Sequence, residues 1–480
     1  MRILVTTGHR AYDSVKSAVG DKADVLLLDV DVAALITPSL LRTIPNISSY
    51  DLILIPGLTT GDFASLEKEL GVKIRLGPKH ACDLGWALQY VDGIEFSHTI
   101  PACQLLSGKK RSDALEKIHR LEEHAEPQFT IKDVKIGGNS RMKVMGEIVD
   151  ATRLGEEDLH RIAERYLHEG ADIIDLGIPM DATPAEVRRA VETVSSLGAP
   201  ISIDTLDPNL ILAGVEAGAD MVLSLNSDNI KSVGWAIASQ GVAAVVMPDD
   251  NFESLLKNIE VAQEIGIKRI IADPILAPIG HGFVDSLTSY HKFREASDLP
   301  LFFGAGNITE LMDADSIGIN ATLAGIAMEI GASILFTPQY SDKAKGSIKE
   351  LKTAAQMMLL AKERGTAPKD LGLDLLIIKE KRRREDAIEV ENPVEATPHK
   401  EWTQDPKGCF RISLQEGEIV AKHEEKDITI TGTSAKAVFD TIQDLGFVSL
   451  TEHAAYLGRE LMKAELALKL GRSYMQDDVF

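Results

Sequence analysis

The sequence predicts an α/β protein with a central (β/α)8 barrel, a small parallel α/β domain before it and an α+β domain after it. Three observations predict this fold class. From residue 141 to about residue 362, short apolar runs alternate eight times with stretches of helical period. Residues 1 to about 95 show the same alternation over fewer units. Residues 401–480 have the pattern of hairpin strands followed by two helices.

The first predicted domain, residues 1–105, is Rossmann-like. Amphipathic stretches separate its continuous apolar runs, which is typical of a parallel sheet covered on both faces: "RILVTT", "ADVLLLDV" and "DLILIPG". A turn rich in glycine and threonine, "PGLTTGD" (Pro56 to Asp62), leads into a helix. Its backbone N–H groups either hold an anion or simply connect strand to helix. No G-x-G-x-x-G follows the first strand, so a dinucleotide site is not supported.

A charged connector, residues 106–140, leads into the predicted barrel, residues 141–365. Eight strand candidates occur in this region: "KVMGEIV", "DIIDLGI", "PISID", "MVLSLN", "VAAVVMP", "RIIAD", "LPLFFG" and "SILFTP". Stretches of helical period such as "EEDLHRIAERYLHEG" lie between them. Eight near-equal units favour closure into a barrel over the competing architecture, a doubly wound open sheet.

Mixed charges and prolines indicate a linker over residues 366–400. The third predicted domain, residues 401–480, contains "CFRISLQEGEIVAKHEEKDITITG", which alternates as hairpin strands do. Its last helix has an apolar stripe, which predicts packing in a core or in a homodimer: Leu457, Leu461, Ala464 and Leu468.

The composition excludes several classes of partner and site. The chain has 51 Lys+Arg against 73 Asp+Glu, a formal net charge of −22. Such a surface repels nucleic-acid phosphates and anionic membranes, so we expect neither as a partner. The three cysteines, Cys82, Cys103 and Cys409, are far apart, which argues against a disulfide framework or a structural zinc. No apolar run approaches the roughly 20 residues that cross a bilayer. We therefore expect a cytoplasmic protein.

The predicted strands of the barrel end in polar residues, and these ends face the active site in such a fold. Five strands contribute a carboxylate or an amide: Asp150, Asp175, Asp204, Asn226 and Asp273. Strand 5 ends near Met247, and strand 7 opens into "GAGNITE" with Gly304 and Asn307. Any single acid has a structural alternative as a helix N-cap. As a set, however, buried like charges repel one another and need a ligand that offers hydrogen-bond donors.

Two classes of ligand suit this set of acids. A flat heterocycle with a guanidine-like edge donates two parallel hydrogen bonds to one carboxylate, and an asparagine reads the neighbouring ring edge. The rival ligand is Mg2+, for which the candidate ligands are Asp150, Asp175, Asp204 and Asp273.

Successive segments resemble the motifs of the pterin-binding barrel family, which contains dihydropteroate synthases and pterin-dependent methyltransferases that serve corrinoid proteins. The segments are "VMGEIVDAT", "GADIIDLG", "PISIDT", "AGVEAGADMVLSLNS", "IADPILAP" and "FFGAGN". The three-part layout, with "WTQDPKGCF" and "YLGRELMKAE" in the tail, is similar to archaeal dihydropteroate synthase-like proteins. The resemblance implies that Asp204, Asn226 and Asp273 hold a pterin. Asp175, Met247 and Gly304 complete the predicted pterin site.

The sequence also departs from the synthases of that family. They have a Ser-Arg-Lys stretch after strand 7, where this chain has "GAGNITE" with Asn307. They have Arg-x-His at the end of strand 8, where this chain has "FTP", Phe336 to Pro338. These groups hold the departing pyrophosphate in a synthase. Asn307, Lys343 and Lys345 are the candidates here for a diphosphate or a second substrate.

The leading hypothesis is a dihydropteroate synthase-like transferase that joins a dihydropterin diphosphate to an arylamine, in synthesis of a tetrahydromethanopterin- or folate-type cofactor. Asp150 and Asp273 are its candidate catalytic residues, and Asp150 is the candidate ligand of Mg2+. The first alternative is a methyltransferase that passes a methyl group from a pterin to a corrinoid protein. The second is a non-catalytic pterin-binding subunit.

Overall fold

The computed structural model describes residues 1–379, 392–397 and 403–478. The chain divides into two compact units, one that includes Met1–Leu376 and one that includes residues 403–478. Much of the predicted linker, residues 380–391 and 398–400, lies outside the described residues. Among the described residues no helix is long and apolar enough to cross a membrane.

The N-terminal domain is a four-stranded parallel sheet in the order β2-β1-β3-β4. Its strands are β1 (Ile3–Thr7), β2 (Asp24–Leu27), β3 (Leu52–Ile55) and β4 (Lys73–Leu76). Its helices are α1 (Tyr12–Val19), α2 (Pro38–Arg42), α3 (Phe63–Leu70) and α4 (Leu84–Ala87). Alternate strand residues feed two apolar clusters, one on each face, because successive side chains of a strand point to opposite faces. The predicted parallel α/β domain is confirmed.

A long helix and a short hairpin connect this sheet to the barrel. They are α5 (Ala102–Glu123), β5 (Phe129–Ile131) and β6 (Val134–Ile136). The hairpin was not predicted. Ile131 and Ile136 belong to the apolar cluster inside the barrel, together with Met145, Ile173 and Phe302 near the starts of their strands. The hairpin therefore plugs the end of the barrel at which the strands begin.

The central domain is a closed parallel barrel, which confirms the predicted (β/α)8 fold. Its strands are β7 (Lys143–Ile148), β8 (Ile173–Gly177), β9 (Ile201–Asp204), β10 (Met221–Leu225), β11 (Ala243–Val246), β12 (Ile270–Ala272), β13 (Phe302–Phe303) and β14 (Ile334–Thr337). They run in the order β12-β11-β10-β9-β8-β7-β14-β13. A bridge from Ala272 to Leu301 joins the two ends of this order. The doubly wound open sheet is thereby excluded.

Helices cover the outside of the barrel. They are α6 (Glu156–Glu169), α7 (Pro184–Ser195), α8 (Pro208–Glu216), α9 (Ile230–Gln240), α10 (Phe252–Ile265), α11 (Phe283–Ala296), α12 (Gly306–Thr309), α13 (Ser316–Glu329) and α14 (Ser347–Arg364). Three of these helices, α7, α8 and α10, begin at a side-chain cap. At α7, for example, Thr183 caps the helix and Glu186 bonds back to the Thr183 backbone N–H at 2.7 Å.

Charged side chains at the plugged end of the barrel are paired. The Asp172 carboxylate accepts hydrogen bonds from Arg141 at 2.7 and 3.0 Å, from Lys352 at 2.8 Å and from the Val144 N–H at 2.9 Å. These partners hold the pKa of Asp172 well below its usual range against the opposing effect of burial. Buried acids at this end are therefore structural ion pairs.

The C-terminal unit is an antiparallel sheet with two helices, which confirms the predicted α+β domain. It contains β15 (Phe410–Gln415), β16 (Glu418–His423), β17 (Thr429–Gly432), α15 (Ala435–Asp444) and α16 (Thr451–Leu470). Leu457, Leu461 and Ala464 of the predicted stripe lie in the core of this unit.

Candidate active site at the open end of the barrel

Three carboxylates from adjacent strands meet at the open end of the barrel. Glu147 of β7 is the register partner of Asp175 of β8, and Gly177 of β8 is the partner of Asp204 of β9. Side chains two residues apart on a strand share a face, so all three acids point to the same side. Glu147, Asp175 and Asp204 each offer an oxygen within 4.8 Å of the others. We call these three residues the acidic cluster.

Burial makes the negative charge of this cluster costly. Asp175 is 0 % exposed, and neither of its carboxylate oxygens has a partner with hydrogen-bonding geometry among the described residues. Burial and the nearby Asp204 and Glu147 raise the pKa of Asp175 well above its usual value, which the adjacent Ser202 hydroxyl opposes only weakly. Burial, then the charge of Asp204, raises the pKa of Glu147 to about 7. The cluster therefore keeps a proton near neutral pH.

Glycine at position 177 makes room for the Glu147 carboxylate. A β-carbon at residue 177 would overlap Oε1 of Glu147. Since Gly177 ends β8 beside Asp204, the missing side chain leaves space between the two acids. The position of Glu147 thus depends on a residue on the neighbouring strand.

Asp204 is held by a residue with unusual backbone geometry. The Ser224 hydroxyl donates a 2.7 Å hydrogen bond to Asp204 Oδ1. Ser224 has φ of 67°, a conformation that few residues other than glycine adopt, and its carbonyl accepts from Asn229 Nδ2 at 3.1 Å. Burial raises the pKa of Asp204, which the Ser224 hydroxyl opposes. Backbone strain at such a position is typical of functional sites.

Asn226 is nearly buried and held by its own loop. Its backbone N–H donates to Asn229 Oδ1 at 3.1 Å, and its side-chain oxygen accepts from the Asp228 N–H at 3.1 Å. The side-chain oxygen is therefore engaged within the loop, so the amide group's donors are what it offers to a ligand.

Asp273 follows β12 and has two fixed partners. The hydroxyl of Tyr290, a fully buried residue of α11, donates to Asp273 Oδ1 at 3.0 Å. The Ile275 N–H donates to the same oxygen at 2.9 Å. Burial raises the pKa of Asp273 to about 6, with these two hydrogen bonds acting against it and the charge of Asp204 adding to it. Both hydrogen bonds engage one oxygen, which leaves Oδ2 for a ligand.

The remaining predicted pterin residues lie at neighbouring strand ends. Met247 follows β11 and is half-buried, and its N–H donates to the Leu225 carbonyl at 2.9 Å. Gly304 follows β13 and is buried. Asn307 lies in α12 and uses its side-chain amide to donate to the Leu276 carbonyl at 2.8 Å. That bond ties the loops after β12 and β13 together.

The other charged residues predicted at this end have partners of opposite charge. Asp150 pairs with Arg153 at 3.1 Å, and Arg153 also pairs with Asp181 at 3.0 Å. Lys343 pairs with Asp313 at 2.7 Å, and Lys345 pairs with Asp342. These cations are therefore partly neutralised where they stand.

Sequence reasoning missed Glu147, Ser224 and Tyr290. The sequence did contain a signal for Glu147, because it lies inside the apolar run "KVMGEI". A glutamate is rarely buried in a parallel strand unless it has a partner or a function. Ser224 and Tyr290 gave no such signal, since their importance comes from the residues they contact.

The chain matches two protein-family models and a relative of nearly the same length. A family model described as "Pterin binding enzyme" matches residues 148–337, and a model described as "PterinBD-DUF4346" matches residues 404–477. Uncharacterized protein MJ0107 of Methanocaldococcus jannaschii is 37 % identical over 520 aligned positions, which cover 100 % of this chain and 99 % of that protein.

Three further proteins match over part of the chain. The acetyl-CoA decarbonylase/synthase complex subunit gamma 2 of Methanosarcina thermophila is 26 % identical over 50 % of this chain and 56 % of that protein. The dihydropteroate synthase of Bacillus subtilis is 27 % identical over 30 % of this chain and 57 % of that protein. The solved dihydropteroate synthase of Thermus thermophilus, in complex with 6HMPPP, has 23 % identity and a TM-score of 0.37 over 45 % of this chain and 93 % of that chain.

The family assignment depends on the sequence matches, above all on the full-length relative. The match to the pterin-binding model begins at the last residue of β7 and ends at the last residue of β14, so it includes Asp175 and Asp204 of the acidic cluster and leaves Glu147 just outside. The chain therefore belongs to the same family as MJ0107 and is a dihydropteroate synthase-like protein of the pterin-binding barrel family.

Proposed function

We propose that the barrel binds a reduced pterin and works as a pterin-dependent methyltransferase, which passes a methyl group from the pterin to an acceptor on a second protein. The observation that carries the pterin site is the fully buried carboxylate of Asp175 within the acidic cluster, which has no hydrogen-bond partner in the part of the chain that the structure describes. A buried carboxylate without donors is unstable unless a ligand supplies them.

The pterin ring offers the donors that this site lacks. Its amino group and adjacent ring N–H form a planar pair that matches a carboxylate, as an arginine fork does. Asp204 accepts a single hydrogen bond, on Oδ1, among the described residues, so both of its oxygens can take part in such a pair, and Asp273 has Oδ2 open to one further donor. The amide of Asn226 offers donors to a neighbouring acceptor on the ring.

Methyl transfer suits the charge balance at this end of the barrel. The methyl group leaves the pterin nitrogen for a nucleophile, and the electron pair of the broken C–N bond stays on that nitrogen, which takes up a proton. The acidic cluster keeps a proton near neutral pH, because its three acids cannot all ionise. A departing pyrophosphate would instead need cations, and Lys343, Lys345 and Arg153 already pair with acids.

The rim of the open end favours a protein-borne acceptor. Large apolar side chains on its loops are exposed, among them Met180 at 98 %, Tyr340 at 72 % and Leu311 at 68 %. Exposed apolar surface around a pocket is typical of a protein-binding site. The likeness to the gamma subunits of acetyl-CoA decarbonylase/synthase, which are subunits of a protein complex by name, supports the same view.

A dihydropteroate synthase-like activity is the second candidate. It is favoured by the match to the B. subtilis synthase, and Mg2+ held by the acidic cluster would then neutralise the diphosphate. These acids fit a hard divalent cation by ligand type and spacing. A non-catalytic pterin-binding subunit remains the third candidate.

Two assays on the full-length protein separate these candidates. Under the proposal, a methylated tetrahydropterin plus reduced corrinoid protein or free reduced cobalamin changes the visible spectrum of the corrinoid as methyl-cobalt forms. Pterin diphosphate plus 4-aminobenzoate should release no pyrophosphate. Release of pyrophosphate with an unchanged corrinoid spectrum would establish the synthase instead. A protein that binds pterin but catalyses neither reaction would be assigned as a non-catalytic pterin-binding subunit.

A further inference from the structure

The strand order of the N-terminal sheet places a topological switch point at the carboxyl ends of β1 and β3. The order β2-β1-β3-β4 makes these two strands the point at which the direction of winding reverses. After β1 the chain enters α1, whose Val15 and Val19 pack in the cluster on one face. After β3 it enters α3, whose Phe63 and Leu66 pack on the other face. Loops that leave in opposite directions open a crevice, and ligands of open α/β sheets bind at such points.

The loops after β3 and β4 approach each other unusually closely beside this crevice. The Gly57 N–H donates to the Pro78 carbonyl at 3.1 Å. A β-carbon at Gly57 would lie 2.5 Å from the Gly77 carbonyl oxygen and 2.7 Å from the Lys79 nitrogen. Only glycine permits this approach, which brings the Lys79 backbone to the turn that carries Thr59.

Basic residues follow two of the strands at this edge of the sheet. Arg10 follows β1, and Lys79 and His80 follow β4. Among the described residues the structure gives none of these three an ion pair. Acids nearby are engaged: Asp62 caps α3 through the Ser65 N–H at 3.1 Å, and Asp29 lies 3.6 Å from His9. Arg10 and Lys79 are thereby available to pair with an anionic ligand.

A buried hydroxyl in the same turn lacks a partner. Thr59 is 6 % exposed, and its Oγ1 has no hydrogen-bond partner among the described residues. An unpaired buried hydroxyl costs about 1–3 kcal/mol, so such groups are rare without a ligand. This observation is independent of the sheet order and of the charges.

We propose that this crevice binds the phosphate group of a small molecule, with Arg10 and Lys79 supplying charge and Thr59 supplying a hydroxyl. Glycine-rich turns and hydroxyls at the carboxyl ends of parallel strands suit phosphate because backbone N–H groups and the neighbouring helix start favour an anion. The site does not depend on the pterin-binding barrel or on its reaction.

Binding of inorganic phosphate and of adenosine monophosphate to the full-length protein tests the proposal by calorimetry. The double variant Arg10→Glu/Lys79→Glu should bind whichever of them the wild type binds at least about tenfold more weakly. Lys68→Glu, a single charge reversal of the same kind on the exposed side of α3, should bind as wild type does. Binding of adenosine monophosphate alone would assign an organic phosphate, and binding of both would assign the phosphate group itself.

A second variant, Thr59→Val, tests whether weaker phosphate binding could result from loss of folding. It removes the unpaired hydroxyl at nearly constant shape, so the melting temperature without phosphate should stay the same or rise while phosphate binding weakens. Wild-type protein that binds neither probe, or a double variant that binds them as tightly as wild type, would overturn the proposal.

Discussion

The hydroxyl of Tyr290 lies 3.0 Å from Asp273 Oδ1 and reaches it from the outer helix layer of the barrel. Replacing it, in Tyr290→Phe, removes one of two donors that stabilise the ionised carboxylate. We expect the pKa of Asp273 to rise further and pterin affinity to fall by about 1 kcal/mol, roughly fivefold. Titration calorimetry with pterin at several pH values measures both.

Tyr166→Phe is the matched control for that change. Tyr166 is also buried in the barrel, but its hydroxyl donates to the Pro338 carbonyl at 3.2 Å. It should alter stability without moving the pH dependence of pterin binding. Equal effects of the two variants would mean that Tyr290 acts only through packing.

Stability should fall as pH rises through the range in which Glu147 ionises. Its pKa is raised from 4.5 to about 7, so the folded protein holds this proton more tightly than the unfolded chain. The resulting stability is fully present below about pH 4.5 and is lost as pH rises through about 7. Glu147→Gln removes this loss, so it should raise the free energy of unfolding at pH 8 by about 1–3 kcal/mol relative to wild type.

Urea unfolding of both proteins at pH 5 and pH 8 measures the difference. Glu157→Gln, at an exposed position in the first turn of α6, is the control and should leave the pH dependence unchanged. A variant at position 147 that tracks wild type at both pH values would show that the glutamate is solvated.

Gly177→Ala should displace the Glu147 carboxylate, because the added β-carbon overlaps Oε1. We expect a loss of about 1–3 kcal/mol in stability and weaker pterin binding, since crowding at a packed position costs that much. The control, Gly318→Ala in α13, adds a β-carbon that meets nothing within 4 Å and should slightly stabilise the helix. If Gly177→Ala leaves pterin affinity unchanged, the position of the Glu147 carboxylate does not matter for pterin binding.

Asp204→Asn should weaken pterin binding by about 1–3 kcal/mol, because an amide cannot accept the paired donors of the ring. Asp207→Asn changes a nearby acid that caps α8 through the Asn209 N–H at 2.7 Å, so it should affect stability alone. Fluorescence quenching of the pterin follows binding in both. Equal pterin affinity in the two variants would mean that Asp204 does not bind the pterin and has only a structural role.

Removal of metal distinguishes the two uses of the acidic cluster. Under the pterin proposal, treatment with EDTA leaves pterin affinity unchanged, because the cluster binds ring donors directly. A loss of affinity that Mg2+ restores would mean that the cluster holds a metal ion, and the synthase would become the better assignment.

The barrel was predictable because each buried strand leaves a continuous apolar run, and the strand-end acids follow from that register. The ion pair between Lys343 and Asp313 was not predictable from the sequence, because the two residues are 30 positions apart and belong to different loops. Tyr290 reaches Asp273 from 17 positions further along the chain. The hairpin that carries Ile131 and Ile136 was hidden because the connector around it is strongly charged.

Because that hairpin fills one end of the barrel, a ligand can reach the interior only from the other end. With Ile131 and Ile136 filling one end, a pterin bound as proposed would enter and leave through the same rim that a bulky second substrate would cover. Turnover should then follow a compulsory order, with pterin first in and last out. In product-inhibition kinetics, the pterin product should then be a competitive inhibitor of the pterin substrate, and no other substrate and product should compete with each other.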